Sequence, residues 1–102
     1  MSDKEALFIL IAKLAEKDGA SPISKFDGCW ERQIGEHWWI AVNAHNDDVK
    51  CSKGAEVKPF NCYVEFNGWP AGVFDPFGGI IAAGSAANEE TFAQAIEAEI
   101  AA

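Results

Sequence analysis

The chain predicts an α+β domain: a four-stranded antiparallel sheet flanked by an N-terminal and a C-terminal helix, in the order α-β-β-β-β-α. Three observations carry this. Apolar residues recur at helical spacing near both ends, as in Leu7, Leu10, Ile11 and Leu14. In the middle they alternate with period two, most cleanly in FNCYVEF at 60–66. The links between these middle segments are short and carry Gly, Asn and Pro, which suits hairpins rather than crossovers.

Residues 2–18 read as the first helix. Ser2 and Glu5 fit a capping box, and Gly19 is a natural stop before Ser21-Pro22. Phe8, Ile9 and Ala12 widen the apolar stripe, so the helix is expected to be buried on more than one side. CWERQIGEHWWIAVN at 29–43 is a hairpin, and two registers are open. A two-residue Gly35-Glu36 loop sets Arg32 opposite Trp39 and groups Trp30, Arg32 and Trp39 as a cation–π cluster. A three-residue loop shifts the pairing by one and groups Trp30, Trp38 and Ile40 instead. Either way one of Trp38 and Trp39 leaves the main core face, which a second helix would cover.

Residues 43–59 are polar and long for a connection in a compact domain. They read as a plain mobile insert, with an ordered functional loop as the alternative. In 60–66, Phe60, Cys62, Val64 and Phe66 face one way, and Asn61, Tyr63 and Glu65 the other. NGWPAG at 67–72 follows as a six-residue connection, leading to a short strand around Val73-Phe74. DPFGG at 75–79 is a second turn, and IIAA at 80–83 a last short strand. Gly84-Ser85 break it. Asn88 is the expected N-cap of the last helix, with Glu89 and Glu90 at the positive end of its dipole and Phe92, Ala95, Ile96 and Ile100 on its apolar face.

A chain of 102 residues makes one domain, spanning 1–102, and its seven Phe and four Trp supply a core despite the alanine bias. Eight basic residues face sixteen acidic ones, for a net charge of −8, and no Lys or Arg follows Lys58. Binding to a phosphate backbone needs lysines and arginines that displace counterions, so direct contact with nucleic acid or an anionic membrane is disfavoured. The expected partner is a protein with a basic surface. The three cysteines are odd in number, and the apolar run 6–12 is too short to span a bilayer, so a cytoplasmic protein with reduced thiols is expected.

No catalytic pattern emerges. Cys29, His37, His45, Cys51 and Cys62 show no C-x-x-C or H-x-x-x-H spacing, so no metal and no cofactor are expected. GGIIAAGSAANEE lacks the lysine of a phosphate loop. Cys51 with His45, and Asp48 nearby, form the best alternative site, for a small molecule or a minor enzyme using the 43–59 connection. The leading expectation is non-enzymatic. Trp69, Trp39, Tyr63 and Arg32 are the residue types that anchor interfaces, with Glu89 and Glu90 as acidic support. A homodimer through the aromatic face is a further alternative. Trp69 has two possible fates: to fold back and plug its own turn, the expected one, or to anchor a partner.

HWWIAVNAH, FNCYVEFNGWPAGVFDPFGGIIAAG and ANEETF, which together span most of the chain, resemble small proteins of bacteriophages and prophages. The resemblance carries no activity and no catalytic residues. It implies an inhibitor of a host defence or nucleic-acid-processing protein, as anti-CRISPR and anti-restriction proteins are. The acids here are less dense than in a strong DNA mimic, and lysines are mixed among them in the first half.

Overall fold

The computed structural model describes residues 3–19, 29–43, 47–59, 61–74, 80–81 and 89–102, with the backbone alone at 3–5, 8, 72–74, 80–81 and 89. Helix α1 (Asp3–Lys17) leads into strands β1 (Cys29–Ile34) and β2 (Trp38–Asn43). Two short strands follow, β3 (Val49–Lys50) and β4 (Glu56–Val57). Strands β5 (Asn61–Phe66), β6 (Trp69–Phe74) and β7 (Ile80–Ile81) precede helix α2 (Glu89–Ala101). The predicted four-stranded antiparallel sheet is β1-β2-β5-β6; β7 extends it by two residues, and β3-β4 form a separate hairpin. The expected cap residues Ser2 and Asn88, the DPFGG turn, the Gly84-Ser85 break and Phe60 lie outside the described residues.

Both helices cover one face of the sheet. Leu7, Ile11 and Leu14 of α1 and Phe92 and Ile96 of α2 pack with Ile34, Trp38, Ile40, Val42, Cys62, Val64 and Ala71. This is the face that the three-residue loop sets up: Ile34 pairs with Trp38, Arg32 with Ile40, and Trp30 with Val42. The predicted cluster of Trp30, Arg32 and Trp39 therefore does not form, because Trp39 points to the other face. Ile9, one of the residues expected to widen the buried stripe of α1, is 41% exposed. The stop is as read: Asp18 N donates to Leu14 O and Gly19 N to Glu16 O, with Gly19 at φ 85°. A non-glycine residue there would meet its own Cβ strain.

The helices are tied at their C-terminal ends. Lys17 Nζ donates to the carbonyls of Glu99, Ile100 and Ala102, the acceptors that a helix leaves unpaired at its negative end. Arg32, on the helix-facing side of β1, reaches Asp18 at 2.5 Å and Glu99 at 3.1 Å. Glu99 also accepts from Gly35 N at 2.7 Å. One guanidinium thus joins the end of α1, the end of α2 and the first hairpin.

Among the described residues, the second face is covered by residues 47–59 of the 43–59 connection rather than by a helix. Residues 47–59 fold as a hairpin over β1, β2 and β5, not as a plain insert. Trp39, Ala41, Cys51 and Val57 form a small second core, with Cys29, Val49, Ala55 and Tyr63 against it. Polar residues pin it down. Asn43, fully buried at the end of β2, donates from Nδ2 to Val57 O at 2.9 Å and to Asp47 O at 3.2 Å. Ser52 donates from its backbone N and its hydroxyl to Glu31. Among the described residues, every buried side-chain nitrogen and oxygen has a partner.

Candidate functional site

Asn67 and Gly68 stand at φ 52° and 82°, so NGWPAG holds a two-residue type I′ turn rather than a six-residue connection. Phe66 pairs directly with Trp69 across it. Pro70 pairs with Glu65, but the next pair is Val64 with Gly72, which leaves Ala71 as the extra residue of a bulge. Proline has no N–H for the ladder, and a bulge is where a strand accommodates one. Ala71 drops into the main core and is buried. The strand is thereby held on both sides of Trp69, yet Trp69 itself is 77% exposed. It does not plug its own turn: with only two residues between the paired Phe66 and Trp69, the turn closes through its backbone and leaves no space to fill.

The end of the sheet that carries Trp69 is stapled. Asn67 N donates to His37 O at 2.8 Å, and His37 Nδ1 and Asn67 Oδ1 lie 2.8 Å apart, within hydrogen-bond reach. The His37 ring lies 5.5 Å from Phe66. Phe66 meets Trp38 edge-on at 4.8 Å, and Trp38 meets Phe92 of α2 at 4.8 Å. A run of rings therefore connects the first turn of α2 to the strand pair that ends in Trp69. Glu36, at the tip of the neighbouring turn, is almost wholly exposed, with its carboxylate 4.0 Å from His37. Asn67 and Glu36 were not among the site residues read from the sequence, and His37 was weighed there only as a metal ligand. His37 and Asn67 lie thirty residues apart, and only the register of β2 against β5 brings the two turns together.

The other candidate residues sit elsewhere. Trp39 is 7% exposed, under the second hairpin, with Lys53 Nζ 4.7 Å from its ring centre. Tyr63 is half-buried beside it, its ring 6.1 Å away, and donates to Glu65 Oε2 at 2.9 Å. Lys53 Nζ takes the other oxygen of Glu65 at 3.0 Å. Trp39, Lys53, Glu65 and Tyr63 thus close on one another, and the expected exposure of Trp39 is corrected: the hairpin that sequence alone left as a loop covers it. Burial first, then the hydrogen bond to Glu65 and its charge, push the Tyr63 hydroxyl from 10.0 up to about 12. Arg32 spends its charge on Asp18 and Glu99, so it is held within the fold. Glu90 is exposed in the first turn of α2, and Glu89 precedes it.

Of the alternative site, two of its three residues are described. Cys51 is buried in the second core, Asp48 pairs with Lys58 at 3.3 Å, and His45 lies outside the described residues. Burial, aided by the charges of Glu31 and Cys51, pushes the Cys29 thiol from 9.0 up to about 11, opposite to what a nucleophile needs. Among the described residues, no group of three or more His, Cys, Asp or Glu is placed to hold a metal ion, and no helix is long and apolar enough to cross a membrane.

Comparison with known proteins finds no family model, curated protein or solved structure that matches the chain. The fold and the placement of these side chains therefore carry the functional reading.

Proposed function

We propose that this chain is a non-enzymatic protein-binding domain that presents Trp69, on its stapled sheet end, to a partner with a basic surface. The observation that carries the reading is the 77% exposure of Trp69 on a backbone held by the type I′ turn and the bulge. A large side chain on a backbone already held in place leaves less chain to order on binding, and Trp is among the residue types that anchor interfaces. Charge supports the choice of partner, since no Lys or Arg follows Lys58 and Glu36 and Glu90 are open to solvent. The resemblance to phage proteins suggests a host protein whose nucleic-acid-binding surface the domain would occupy. A homodimer through the aromatic face is less favoured, because Trp39 and much of Tyr63 lie under the chain's own hairpin.

The test is affinity capture from a bacterial lysate with wild type and with Trp69→Ala. A partner retained by wild type, lost by the variant, and released by raised salt supports the reading. Equal retention by a variant of unchanged stability removes Trp69 from the interface, and no specific partner at all removes the proposal.

A further inference from the structure

Among the described residues, Ile9 and Trp69 are the large apolar side chains left exposed. Trp69 is flanked in sequence by the exposed Gly68 and Pro70, with Asn67 beyond, and pairs across the turn with the half-buried Phe66, and the adjoining turn offers Glu36 and His37. A ring meant to fill an apolar pocket is ordinarily set among other apolar groups. Among the described residues, the exposed groups on these two turns are polar or acidic apart from Pro70, and Trp69 itself is 77% exposed.

The chain itself shows what such surroundings accept. On the second face, the Lys53 ammonium sits 4.7 Å from the centre of the Trp39 ring and 3.0 Å from Glu65 Oε1, so one cation is shared by an indole and a carboxylate. At the sheet end, the Trp69 ring and the Glu36 carboxylate stand on two turns that are hydrogen-bonded to each other. No cation lies over Trp69 among the described residues; Arg32 and Lys17 are both engaged at the helix ends.

Resting on the protein-binding reading above, we infer that the side chain Trp69 receives from its partner is an arginine, stacked on the indole with Glu36 as its counter-charge. Arginine is the better fit of the two basic residues. Its guanidinium is flat and weakly hydrated, so it stacks on an exposed ring while its edge still donates to a carboxylate. An ammonium gives up more hydration to do the same.

The probe is a hexa-arginine peptide titrated into the whole chain, with hexalysine as the comparison, followed by NMR. The salt is about 0.15 M, where charges more than about 8 Å apart are largely screened. The expected result is movement of the Trp69 indole N–H and of the amides at 35–37 and 67–69, with arginine bound more tightly than lysine. Trp69→Leu keeps apolar bulk but removes the ring and should weaken binding about two- to fivefold, what an exposed cation–π contact supplies. Glu36→Gln should weaken it about threefold, as for an exposed ion pair. Both positions are exposed, so both variants should fold as wild type does, which far-UV circular dichroism checks.

Three results overturn the inference: shifts confined to the acids of α2, equal affinity in Trp69→Leu, or a preference for lysine. If Trp69→Ala abolishes capture of a partner while the arginine peptide leaves the indole unmoved, protein binding stands and the arginine assignment falls.

Discussion

Trp39 and Trp69 are the same side chain with opposite surroundings, and truncating each to alanine should separate them. An enclosed aromatic side chain buries about 150–250 Å². At 77% exposure Trp69 keeps about a quarter of this from water, about 50 Å², which at about 25 cal/mol per Å² is about 1 kcal/mol as an upper bound. At 7% exposure Trp39 keeps nearly all of it, and about 200 Å² gives about 5 kcal/mol. That agrees with the usual cost of about 3–5 kcal/mol for a buried Trp→Ala change. Trp39→Ala also strips Lys53 of the ring beneath it and opens the second core. Against a total stability of about 5–15 kcal/mol, it should leave the domain barely folded at room temperature, whereas Trp69→Ala should hardly shift it. Urea unfolding followed by far-UV circular dichroism reads both. A loss above about 2 kcal/mol for Trp69→Ala, or below about 1 kcal/mol for Trp39→Ala, would refute the assignment of Trp39 as buried and Trp69 as free.

Three other expectations follow from named contacts. Arg32→Met should cost about 1–3 kcal/mol, because Asp18, Glu99 and two helix ends lose a shared donor; melting temperature measures it, and an unchanged value would show the bridge to be idle. Gly68→Ala should cost about 1 kcal/mol through the strain of φ 82° alone, since a Cβ there meets nothing within 4 Å; chemical denaturation reads it. Raising pH should destabilise the domain as it passes from 10 towards about 12. There the unfolded chain releases the Tyr63 proton while the folded chain holds it, so the folded state loses ground with each step; below 10 both states are protonated and the term vanishes. Tyr63→Phe should flatten that part of the pH–stability curve, and an unchanged slope would assign the alkaline loss to other groups.

The local grammar of this chain was open to reading. Period-two alternation in 60–66 placed Cys62, Val64 and Phe66 on one face, and helical spacing placed Leu7, Ile11 and Leu14 against them, because both follow from backbone geometry over a few residues. Asn67-Gly68 announced a turn, but its length was misjudged, since Pro70 looked like a strand-breaker and only the bulge at Ala71 shows how the strand accepts it. The polar stretch 47–59 read as a loop because its two strands are two residues each, too short for any periodicity to register.

What the sequence alone determined about this protein is its class and its charge: an α+β domain with an acidic second half, whose elements each carry a local pattern. What only the tertiary structure decided is which tryptophan is free. Trp38 and Trp39 are adjacent and point to opposite faces whichever way the hairpin is registered. Their fates depended on the loop at 35–37 and on a hairpin drawn across the sheet by Asn43, Glu31 and Glu65. The physical reason is that burial is set by what packs over a residue, and for Trp39 that cover comes from side chains distant in sequence. Among the described residues nothing comparable lies over Trp69, because the two-residue turn beside it is complete without a side chain to fill it.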